Sequence, residues 1–78
     1  MQEFEIRLRS VQDVQDFVAI ATELPFPIFV GNSRHKVDAK CFMEMFCLDF
    51  SFPVTARAEC SREEFEAFRR DADRFAVK

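Results

Sequence analysis

The change in hydrophobic period near the N-terminus constrains this chain most. Phe4, Ile6 and Leu8 alternate with Glu3, Glu5, Arg7 and Arg9, the two-residue repeat of a strand buried on one face and wet on the other, over residues 3–9. From Val11 the spacing switches to three and four: Val11, Val14, Phe17, Val18, Ala21 and Leu24 make one helical stripe. Gln12, Asp13, Gln15, Asp16 and Glu23 cover the rest of that helix. Ser10 is placed to accept a hydrogen bond from a free N–H of the first turn, and Asp13 sets negative charge near the positive end of the helix dipole. Pro25 and Pro27 end the helix and force extended chain.

The same logic continues to the C-terminus. Phe26, Ile28 and Val30 alternate, with Phe29 on the other face. Gly31-Asn32-Ser33 is a turn signal, since Gly and Asn tolerate positive φ, and a short return strand over residues 34–37 completes a hairpin. Over residues 38–46, Ala39, Phe42, Met43 and Phe46 fit helical spacing, with Asp38 as the expected cap. Only Glu44 interrupts the apolar set Phe42, Met43, Met45, Phe46, Cys47 and Leu48, which predicts a short helix apolar on more than one side. Residues 53–59 form the fourth strand, with Val54, Ala56 and Ala58 inward. Ser61-Arg62-Glu63-Glu64 is a capping box, and Phe65, Phe68, Ala72 and Phe75 share one face of the helix that follows.

The order is therefore βαββαβα. Four half-wet strands and helices with single stripes are satisfied by an α+β, open-faced β-sandwich: a four-stranded antiparallel sheet with three helices on one face. The 78 residues allow one domain, 1–78. A chain this short buries only about 60% of the surface its unfolded form exposes, and eleven Phe among 49% hydrophobic residues meet that demand.

Several functions are disfavoured at this level. The N-terminus lacks a basic head followed by an apolar stretch, and no apolar run approaches the ~20 residues of a membrane span. Cys41, Cys47 and Cys60 lack the spacing of a disulfide framework or a metal site, so a reducing cytoplasm is expected, with no cofactor and no membrane partner. A net charge of -3 and a pI near 5.1 weigh against nucleic acid. His35 reads as a solvated turn residue, Cys41 as a small apolar side chain, and Glu63-Glu64 and Asp71 with Asp73 as solvated helix charges. No carboxylate pair suggests acid–base chemistry, so the chain is not expected to be an enzyme.

Val37-Asp38-Ala39-Lys40-Cys41-Phe42-Met43 resembles a stretch of the HPr family, the histidine-containing phosphocarriers of the bacterial sugar phosphotransferase system. There a strand ends at Val, passes a polar link with Lys, and enters a small helix. Leu48-Asp49-Phe50-Ser51-Phe52-Pro53-Val54 is similar to the family's link into the fourth strand, and element lengths agree from Phe4 to Phe75. The resemblance implies an HPr-like fold. It also implies that the phospho-acceptor His position falls on Ser10, the phosphate-binding Arg position on Gln12, and the regulatory Ser position on Cys41; Glu44 stands where the small helix commonly has Gly. A Ser ester cannot replace a reactive phosphoramidate, and Asp13 would repel phosphate, so carrier chemistry should be absent.

The family's docking surface maps onto Ser10, Gln12, Phe42, Met45 and Phe46, where aromatic and Met side chains are suited to anchor an interface. Phe50 and Phe52 are further candidates for an exposed patch. The expectation is a non-catalytic, regulatory HPr-like protein engaging a phosphotransferase-system component or regulator, with a homodimer as another way to cover the patch. The alternatives are an active phosphocarrier using a non-standard residue and a ferredoxin-like small-molecule sensor.

Overall fold

The computed structural model describes residues 2–32, 35–47 and 53–77. The elements are β1 (Gln2–Ile6), α1 (Val11–Thr22), β2 (Ile28–Gly31), β3 (Lys36–Asp38), α2 (Phe42–Met45), β4 (Val54–Ala58) and α3 (Arg62–Asp71), with a 3-10 turn at Asp73–Phe75. The strands form one antiparallel sheet in the order β1-β4-β2-β3. Ala56 lies at its centre, opposite Phe4 on one side and Val30 on the other. Small residues at the centre of β4 leave room for the aromatic layer of the helices. Phe68 from α3 is its hub, with ring centroids 5.5 Å from Phe4, 5.9 Å from Phe17 and 6.4 Å from Phe26. Phe17, Phe68, Ile6, Leu8, Ile28, Met45 and Val30 are fully buried. The architecture is the four-stranded open-faced α+β sandwich that the periodicity predicts.

Local chemistry sets the boundaries. Ser61 Oγ accepts from the N–H of Glu64 at 3.2 Å, and the Glu64 carboxylate accepts from Ser61 N–H at 3.1 Å, completing the capping box. β1 stops at Ile6, short of the expected residue 9, because its partner β4 begins opposite it at Val54, and Pro53 has no N–H to extend the ladder; the C-terminal segment holds the other edge. Arg7 N–H donates to the Phe75 carbonyl at 2.8 Å and Val77 N–H to the Glu5 carbonyl at 3.0 Å. Phe75 therefore reaches the core from the 3-10 turn after α3 ends, not from the helix itself.

Asp38 does not cap α2. It closes β3, and its carboxylate accepts from Lys40 N–H at 2.8 Å, so the helix starts only after Cys41. The Lys40 ammonium then reaches across to the Leu24 carbonyl at 2.7 Å, beyond the end of α1, where a cation offsets the negative end of the dipole. Gly31 has no positive φ. A Cβ there would collide with the His35 carbonyl and lie 2.8 Å from Lys36 Cα, so close approach within the hairpin requires the glycine. Among the described residues, no helix is long and apolar enough to cross a membrane.

Candidate docking surface at the start of α1 and on α2

The α1 start is built from polar groups that bind one another. Ser10 is extended, and its Oγ accepts from the N–H of Asp13 at 3.2 Å, while the Asp13 carboxylate accepts from Arg9 N–H at 3.0 Å. The Gln12 amide donates to Asp16 Oδ1 at 2.9 Å. Arg74, carried in by the 3-10 turn, binds the other Asp16 oxygen and lies 3.9 Å from an Asp13 oxygen. Its guanidinium also stacks 4.4 Å from the Phe75 ring centroid. The Gln12 hydrogen bond first, and Arg74 second, hold the Asp16 carboxyl below the usual carboxylate range.

This arrangement leaves little for phosphate. Asp13 and Asp16 put two carboxylates beside the helix N-terminus, and the nearby Arg74 is committed to them. A depression of about 450 Å³ lies beside the site, lined by Arg7, Arg9, Asp13, Pro53, Arg74 and Ala76 among others, and it mixes both charge signs. His35 is exposed in the β2–β3 hairpin, where its N–H is bound by the Asn32 side chain at 3.0 Å. Among the described residues, no group of three His, Cys, Asp or Glu could hold a metal ion.

α2 contrasts with this polar corner. Cys41 sits at its N-cap without a side-chain capping bond. Phe42 is half-buried and Phe46 is 42% exposed, with their rings in edge contact at 4.4 Å between centroids. Met43 is 76% exposed. Met45 corrects the expected set of docking residues: it is fully buried in the core and presents nothing to a partner.

The physical reason is angular. At about 100° per residue, positions two apart in a helix face nearly opposite ways, so burying Met45 turns Met43 outward. The sequence alone places Met45 among the docking residues and leaves the side of Met43 open. Val11, which its spacing places in the inner stripe of α1, is 57% exposed. The structure brings Phe42 and Phe46 together, keeps Ser10 and Gln12 within one polar turn, and packs α1 against α2. Phe50 and Phe52, and most of the link that precedes β4, lie outside the described residues.

No protein-family model matches the chain, and no curated protein matches it. A solved structure, HPr-C-His from Thermoanaerobacter tengcongensis, superimposes with a TM-score of 0.75 at 24% sequence identity, covering 94% of this chain and 92% of that one. Near-complete coverage in both directions leaves no element of either chain as a large unmatched addition. The backbone described above is therefore an HPr-like fold.

Proposed function

We propose that this chain is a non-catalytic HPr-like docking protein of a bacterial phosphotransferase system, working in the cytoplasm by occupying a partner's surface. The observation that carries this reading is the outward side of α2, where Met43 and Phe46 stand exposed beside half-buried Phe42. Exposed aromatic and Met side chains contribute strongly to interface energy when a partner desolvates them. At the start of α1, Ser10 stands where the family carries its imidazole, and its hydroxyl is already a helix cap. A serine phosphate would be an ester, too stable to pass its phosphoryl group onward. The surface supports recognition, and the chemistry at Ser10 does not support transfer.

Affinity capture with the intact chain as bait tests this reading. A phosphotransferase-system component retained by the wild type and lost with Phe46→Asp supports it. An unchanged partner set with Phe46→Asp removes α2 from the account. Light scattering at several concentrations separates a second copy from a foreign partner, because only self-association makes the apparent mass rise with concentration.

A further inference from the structure

We propose that Met43 is a reversible oxidation site that controls the α2 surface; this control rests on the docking reading above. Met43 is 76% exposed, whereas Met45, two residues along the same helix, is 0% exposed. Two thioethers of identical chemistry thus sit on opposite sides of a four-residue helix, one in solvent and one in the packed core. Exposed Met side chains meet aqueous oxidants directly, and the core excludes them.

The position makes oxidation consequential. Phe46 is partly exposed on the same helix turn, and Cys47, also exposed, donates its thiol to the Met43 carbonyl at 3.5 Å. In the reaction, the Met43 sulfur takes one oxygen atom from hydrogen peroxide. The sulfur loses two electrons, the peroxide O–O bond breaks, and water leaves. Reduction by a thiol-dependent methionine sulfoxide reductase returns the thioether and water and leaves a disulfide in the reductase. The sulfoxide is polar and a strong hydrogen-bond acceptor, so it replaces an apolar anchor with a group that is costly to desolvate. The fold is untouched because Met43 makes no core contact of the kind Met45 makes.

The test is limited peroxide treatment of the intact chain, followed by dithiothreitol to reverse thiol oxidation, then peptide mapping by mass spectrometry. Met43 is expected to oxidise at least about tenfold faster than Met45, with loss of the sulfoxide on incubation with the reductase. Comparable rates at the two positions overturn the site. Capture of the partner defined with Phe46→Asp should fall on oxidation and with Met43→Gln, and persist with Met43→Leu after peroxide. If Phe46→Asp abolishes capture and oxidation leaves it unchanged, the proposed control is wrong and the docking reading stands. If neither change affects capture, the docking reading falls and takes the control with it.

Discussion

The start of α1 and the outward side of α2 are held in opposite ways. At α1, Ser10, Gln12, Asp13, Asp16 and Arg74 satisfy one another through hydrogen bonds and ion pairs. At α2, Met43 and Phe46 meet solvent, and the helix is only four residues long. So short a helix cannot stand by its own hydrogen bonds. Burial of Met45 fixes it, and the same anchoring turns Met43 outward. A long amphipathic helix needs its ends closed, whereas a short one is defined by the single side chain it buries. The polar corner at Ser10 is thus closed by its own groups, whereas α2 leaves Met43 and Phe46 exposed.

That contrast can be broken or sharpened by substitution. The largest effect should come from the inner side of α2: Met45→Ala is expected to cost about 2–5 kcal/mol, whereas Met43→Ala should stay within about 0.5 kcal/mol of wild type. Urea denaturation followed by circular dichroism measures both, and similar losses would erase the division between the two sides. Next is the tether that joins the approach to α2 with the end of α1. Lys40→Met removes the bond to the Leu24 carbonyl and should cost about 1.5 kcal/mol in the same assay. A neutral result would mean that water replaces the ammonium without loss.

At the polar corner, Ser10→Ala should cost about 1 kcal/mol through the lost cap. Ser61→Ala, which opens the α3 capping box, supplies the reference, since both hydroxyls accept at 3.2 Å. A Ser10→Ala loss far below the Ser61→Ala loss would show that the corner is not closed by its own groups. The smallest effect belongs to Arg74→Leu, because the ion pair it removes is solvent-exposed. Its pH dependence carries the information. Asp16 is held below its ordinary value in the folded state, so its contribution is complete above the unfolded carboxyl value of about 3.9. That contribution disappears as pH falls through the folded value. The stability gap between wild type and Arg74→Leu should therefore be present at neutral pH and close in acid. A gap that widens in acid would contradict the assignment of Arg74 to the aspartates.

Patterns that extend over several residues were legible in the sequence. The inward set Val54, Ala56 and Ala58, the Ser61 box, the Ser10 cap and the βαββαβα order all follow from local period and capping chemistry. α2 was not legible in the same way, because four residues span barely one turn and offer no repeat from which to choose between Met43 and Met45. Asp38 was misread because a carboxylate two residues before a Lys N–H closes a turn as readily as it caps a helix. Gly31 carried a correct turn signal for a different physical reason, close approach in place of positive φ. The Arg74–Asp16 pair joins residues 58 apart, and nothing local announces such a contact. The side taken by Met45 and the arrival of Arg74 at the α1 corner thus depended on tertiary placement.

The central claim is that Ser10, not an imidazole, occupies the corner where a carrier would load phosphate. Incubation of the intact chain with phosphoenolpyruvate and the general phosphotransferase enzyme, followed by intact-mass measurement before and after mild acid, tests it most directly. The account predicts an unchanged mass in both samples. Gain of one phosphoryl group that is then lost in acid would contradict it.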